Sequence, residues 1–270
     1  MKYRFDKENH IHLLDERPLI GTSTATKIIA KPLTWWASGM AVGKLGWTNS
    51  KIRENGKYKN IPMAERLKVV TPVFEAIGKM SAKAFLELLD KAYRAHDDHK
   101  KERAEAGTDR HALLEEYVKG CLLKGGAPLP YEGDAKVKTF TGWAQKNVKK
   151  FLWSELHCYS EVLWTGGICD VGWESNQGET VVGDFKSSKE AYFDQFVQVA
   201  GYDIALSENG GFTCDGEPLF EPGLQADKYC IVPFGSEILE PEFRNDINDF
   251  RNAFSSAVFL HKLNTKFGGN

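Results

Sequence analysis

The stretch Gly167-Ile168-Cys169-Asp170-Val171-Gly172-Trp173-Glu174, the turn Ser175-Asn176-Gln177-Gly178 and the run Glu179-Thr180-Val181-Val182-Gly183-Asp184-Phe185-Lys186 decide the fold. Two apolar runs flank a short polar turn, the pattern of a β-hairpin. Successive side chains on a strand point to opposite faces. Asp184 and Lys186 therefore share a face and Phe185 takes the other, while Asp170 shares its face with Ile168 and Gly172. Charges inside apolar strands are costly unless they are paired or bound to metal. Carboxylates at Asp170 and Asp184 on neighbouring strands repel unless a cation sits between them. Magnesium takes such hard oxygen ligands and leaves part of its shell to water and substrate phosphate. Lys186 beside them can orient or help deprotonate an attacking water and offset charge on a phosphate. A surface hairpin held by an Asp–Lys ion pair carries the same D-x-K pattern.

Working outward, Gly107-Thr108-Asp109-Arg110-His111-Ala112-Leu113-Leu114-Glu115 opens a helix. His111 and Glu115 are four apart and share one face. A neutral imidazole there can be a further metal ligand. Downstream, Gln195, Gln198 and Tyr202 line one face of a helix over 190–207, and their polar groups can bond a phosphate or hold a catalytic side chain. A solvent-facing stripe is the alternative, with Val197, Ala200, Gly201 and Ile204 as the buried side.

The remaining periodicity gives a largely helical first half and a small sheet in the second. Residues 3–14 read as a hairpin, and helices are expected at Ala25–Ile29, Leu33–Leu45, 63–79, 81–104, 108–123 and 134–152, with Gly107 interrupting the long apolar pattern. Residues 46–62 read as a loop. Strands follow at Glu155–Trp164, Gly167–Glu174, Glu179–Lys186 and 227–233, with a loop over 208–224 and a last helix over 241–264. The fold class is α/β in the α+β sense. The chain reads as one domain, with a helical region over 1–105 and a core over 106–270.

The chain has 270 residues, 42% of them hydrophobic and 27% charged, and a net charge of −2, which excludes a uniformly basic nucleic-acid binder. No run approaches the roughly 18 apolar residues of a membrane span, and the first residues are charged, so no membrane partner is expected and the cytoplasm is the expected compartment. Cys121, Cys158, Cys169, Cys214 and Cys230 are scattered, which disfavours a disulfide framework, a four-cysteine zinc site or an iron–sulfur cluster. Basic residues concentrate between 44 and 68: Lys44, Lys51, Arg53, Lys57, Lys59, Arg66 and Lys68 against Glu54 and Glu65. They read either as a solvated face or as a phosphate-tracking element, with Lys51, Arg53, Lys57 and Lys59 the candidate DNA contacts.

Taken together, GxxxHxxxE at 107–115, GxxD at Gly167–Asp170, (D/E)xK at Asp184–Lys186 and QxxxY at Gln198–Tyr202 resemble the RecB-like branch of the PD-(D/E)xK nuclease superfamily. The likeness is greatest to phage recombination exonucleases and to the mitochondrial genome maintenance exonuclease. It implies a restriction-endonuclease-like core whose metal ligands are His111, Asp170, Asp184 and the carbonyl of Phe185. Lys186 would be catalytic, Gln198 and Tyr202 would support the site or the DNA, and Glu115, Glu161 and Gln195 would have supporting roles. Position 184 is Asp where many relatives carry Glu. The cofactor implied is Mg²⁺ or Mn²⁺, as one or two ions. The partners implied are DNA and a single-strand annealing protein, and the compartment is the bacterial host cytoplasm if the chain is phage-encoded.

The function expected is a metal-dependent DNA exonuclease acting from a DNA end in recombination, replication or repair. An endonuclease of the same fold and a non-catalytic DNA-binding module are the alternatives. No ATP chemistry is expected, because Gly39-Met40-Ala41-Val42-Gly43-Lys44 is one residue short of a P-loop and is followed by Leu45.

Overall fold

The computed structural model describes residues 2–30, 34–54, 57–235 and 241–267. The chain divides into two units, one of Met1–Ala30 with Ala106–Asn270 and one of Lys31–Glu105. The expected grouping of 1–105 thus divides at Ala30, and the first residues join the unit that carries the sheet.

In chain order the first unit begins with β1 (Tyr3–Asp6), β2 (Ile11–Leu14), β3 (Arg17–Pro18), β4 (Ile20–Gly21) and the short α1 (Thr22–Thr26). The second unit holds α2 (Thr34–Lys44), β5 (Lys51–Glu54), β6 (Lys57–Asn60) and α3 (Met63–Ile77). Next comes α4 (Ala82–Leu122), whose residues from Ala106 onward belong to the first unit. The first unit continues with α5 (Ala135–Asn147), β7 (Val148–Ser160), β8 (Thr165–Ser175), β9 (Thr180–Lys186) and α6 (Phe193–Asn209). It ends with β10 (Gly211–Phe212), β11 (Pro218–Phe220), β12 (Lys228–Pro233), β13 (Glu242–Arg244) and α7 (Ile247–Lys266).

Several boundaries differ from the sequence reading. The helix expected to stop at Gly107 runs through it, because one glycine costs only about 1 kcal/mol within a run of strong helix formers. The expected loop over 46–62 contains the β5–β6 hairpin, and the loop over 208–224 contains β10 and β11. β7 starts at Val148 because its first residues pair with β8, from Val148↔Ser175 onward, and tertiary pairing overrides local propensity. Within the span expected as the last helix, Glu242–Arg244 form β13 against β12.

The main sheet is mixed, in the order β11-β10-β7-β8-β9-β12-β13, with β4 added on β8. Its neighbours are antiparallel apart from β9–β12 and β4–β8, which are parallel. One core cluster joins α6 and α7 to the sheet through Phe196, Tyr202, Phe254, Trp153, Leu156 and Val182. A second joins the end of α4 and α5 to the sheet through Leu114, Phe140, Trp173, Val181, Phe185 and Val232. Val181 and Phe185 thus lie in the second cluster and Val182 in the first, as strand alternation requires.

One break in the sheet prepares the site. The β8–β9 ladder runs from Glu174↔Thr180 to Val171↔Gly183 and stops. Beyond it β9 stays with β12 as far as Pro233↔Lys186, while β4 takes up β8 at Thr165 and Gly166. The two strands fork, with Asp170 on one prong and Asp184 and Lys186 on the other.

Candidate active site

The fork frees the backbone N–H of Phe185, and Asp170 fills the gap. Its Oδ2 accepts that N–H at 2.8 Å and lies 3.1 Å from His111 Nε2. The hydrogen bond to Asp170 pushes the His111 pKa up to about 9 against the opposing effect of burial, and a cation bound to the ring would displace that proton, because a ligating imidazole is neutral. The ring is held edge-on to Phe185, at 5.8 Å between centroids.

Asp184 is 1% exposed. Burial, and then the charge of Asp170, push its pKa up to about 7, opposed by Lys186. Its Oδ2 forms an ion pair with Lys186 Nζ but has no hydrogen-bond partner among the described residues. Burial alone would depress the Lys186 pKa, but Asp184 and Asp170 outweigh it and the value is raised, so Lys186 is an ammonium. On α6 the Gln198 amide donates to the Tyr202 hydroxyl, and both side chains are buried. Burial holds the Tyr202 pKa well above its ordinary value, so it stays a neutral phenol with its own proton to donate. Gly167 is required by close approach, since a Cβ there would lie 2.6 Å from both Thr22 Oγ1 and Tyr202 Cε1.

The sequence reading missed Glu155. It sits in β7 with φ of 53°, a left-handed conformation rare for a residue with a side chain. Burial, and then the charge of Asp170, push its pKa up to about 8, and its Oε1 is buried without a hydrogen-bond partner among the described residues. His111, Glu115 and Glu155 each offer a ligand atom within 4.8 Å of the others. Glu155 had a sequence signal: it is an isolated acid in Phe151-Leu152-Trp153-Ser154-Glu155-Leu156, the same feature that marks Asp170.

Other expected residues take different places. Glu161, expected as a supporting acid, is exposed in the turn after β7, where its N–H donates to Glu208 Oε1 at 2.8 Å. The strand ends at Ser160, one residue too early to carry Glu161 to the site. Gln195 belongs to the capping box of α6: its Oε1 accepts the Tyr192 N–H at 3.0 Å and its amide donates to Ser188 Oγ at 3.2 Å. Glu115 forms an ion pair with Lys119 one turn along α4. Lys51, Arg53, Lys57 and Lys59 lie in the β5–β6 hairpin of the other unit. Gly39–Lys44 lie inside α2, a helix in place of the strand-to-helix loop a P-loop needs. Cys121, Cys158, Cys169 and Cys230 are buried thiols.

The donor set suits a divalent cation: His111, Glu115 and Glu155 converge, Asp170 lies against His111, and Asp184 stands on the other prong paired to Lys186. No helix among the described residues is long and apolar enough to cross a membrane. Comparison with protein-family models and with curated proteins gave no match for this chain.

Proposed function

We propose that the chain is a Mg²⁺- or Mn²⁺-dependent deoxyribonuclease of the exonuclease type, of the PD-(D/E)xK kind its motifs resemble, working on DNA in the cytoplasm. The observation that carries this reading is the fork: Asp170 and Asp184 repel across it, which helps push the Asp184 pKa up to about 7, and beside His111 the buried Glu155 Oε1 has no hydrogen-bond partner among the described residues. Asp170, Asp184, the Phe185 carbonyl and His111 would hold the cation, with Glu155 and Glu115 extending the donor set around His111. When bound, such an ion polarises a phosphate and lowers the pKa of a water.

The chain's own residues do the rest. Lys186, kept protonated by its two acids, is a donor aimed at the same fork, suited to orienting a water and offsetting phosphate charge. Asp170 fixes the Phe185 backbone and so the line along which Asp184 and Lys186 project. Gln198 holds the Tyr202 hydroxyl in place.

The test compares linear DNA with covalently closed circles in Mg²⁺ or Mn²⁺. Nucleotides are expected from linear DNA alone, and Asp184→Ala and Lys186→Ala should each lose at least about 100-fold in rate. Equal degradation of closed circles would refute the exonuclease part, and full activity of Asp184→Ala would refute the site.

A further inference from the structure

β5 and β6 form a two-stranded antiparallel ribbon with the register Lys51↔Asn60, Ile52↔Lys59, Arg53↔Tyr58 and Glu54↔Lys57. No other described strand joins it. A lone two-stranded ribbon is marginal in water. This one is fastened at its base, where the Ile61 N–H donates to Ser50 O at 2.9 Å and Arg66 Nη2 of α3 donates to Thr48 O at 3.1 Å. Its apolar residues are not used to cover anything: Ile52 is 53% exposed and Tyr58 is 74% exposed. The ribbon's sequence carries four basic residues, Lys51, Arg53, Lys57 and Lys59, against the single acid Glu54. Opposed positions share a face, so 51, 53, 58 and 60 lie on one side and 52, 54, 57 and 59 on the other. Like-facing residues along one strand stand about 7 Å apart.

We propose that this ribbon is a binding wing for single-stranded nucleic acid, in which Tyr58 stacks on a base while Lys51, on the same face, neutralises a phosphate. The inference rests on the nuclease reading for its biological setting and names the form of DNA that the chain engages. An exposed tyrosine among cations is what a single strand rewards, because unstacked bases offer their faces and the backbone offers its charge. A duplex hides the base faces, and a ribbon reading its major groove relies on polar side chains at base edges. Tyr58 supplies the first kind of contact.

Binding of the full-length chain to a fluorescein-labelled oligo(dT) of about 15 nucleotides, and to a blunt duplex, is measured by anisotropy in EDTA. Binding in EDTA does not depend on catalysis. Tyr58→Ala should weaken oligo(dT) binding about 5- to 100-fold, leave duplex binding unchanged and keep the salt slope, and Tyr58→Phe should restore the affinity. Lys51→Ala should lower the slope of log K against log salt by about 0.7, the value for one phosphate of a single strand no longer neutralised. Tyr58→Ala that binds oligo(dT) as well as wild type, or loses duplex binding to the same degree, overturns the inference. A wild-type chain that binds through Tyr58 but cleaves nothing in Mg²⁺ or Mn²⁺ leaves the wing standing and overturns the nuclease reading alone.

Discussion

Glu155 combines two costs in one residue. Its backbone has φ of 53°, where a Cβ is penalised by roughly 1–2 kcal/mol, and its carboxyl has a buried oxygen without a partner among the described residues. Glycine removes both. Glu155→Gly should therefore raise Tm by a few degrees, for about 1 kcal/mol of net gain after the extra chain entropy of glycine. It should also lower the proposed nuclease activity, because it deletes a donor beside His111. A fall in Tm on thermal unfolding would show that the glutamate stabilises the fold. Asp184 has the same character: burial and a like charge disfavour its ionised form, and such sites trade stability for chemistry.

At the scale of elements, α6 is locked by a single buried acid. Asp203 is fully buried and accepts the Ala226 N–H at 2.9 Å, the Tyr229 hydroxyl at 2.6 Å and Arg251 Nε at 2.7 Å, tying α6 to β12 and α7. Asp203→Ala strands the arginine and the hydroxyl, and should cost about 3–5 kcal/mol, read as a lower urea midpoint. A loss under 1 kcal/mol would mean that water replaces the carboxylate.

Elements also show what sequence alone can carry. Strand alternation put Asp184 and Lys186 together, and they form the ion pair, because a period of two needs no tertiary information. The helical spacing of His111 was equally local, and its ring reaches Asp170. Glu155 showed as an isolated acid in an apolar run, but strand alternation could not aim it, because its φ of 53° departs from the extended strand conformation. Glu161 failed for the complementary reason: Glu208, far along the chain, organises the turn that holds it. Gln195 shared a helical face with Gln198, but its position at the start of α6 drew it into capping.

For the whole molecule, acid sensitivity should arise away from the fork. Tyr3, His12 and His157 form a buried group in which the Tyr3 hydroxyl lies 2.6 Å from His12 Nδ1 and 3.2 Å from His157 Nδ1. Burial holds the His12 pKa down to about 3 and that of His157 to about 4. The unfolded chain binds these protons near pH 6.5 and the folded one does not. Their contribution is therefore complete above about pH 6.5 and falls by roughly 1.4 kcal/mol per pH unit per histidine as the pH drops toward 4. Asp184 and Glu155, with raised values, contribute with the opposite sign, so the difference between wild type and His12→Gln isolates the effect. The Tm gap between the two proteins should narrow from pH 7.5 to pH 5, and a constant gap would refute the assignment.

The pairing of β4 with β8 also has a consequence in time. Thr22 Oγ1 donates to Gly166 O, a partner 144 residues further along the chain. At about 5–20 residues per second, synthesis leaves the amino-terminal segment waiting roughly 7–30 s before that partner exists. Leu14 and Leu19, both buried in the finished molecule, spend most of that interval without Tyr159, their partner from β7. α1 waits longer still, because Ala25 packs in the same cluster as Phe254 of α7. A segment made well before β8 is thus among the last to be locked in place.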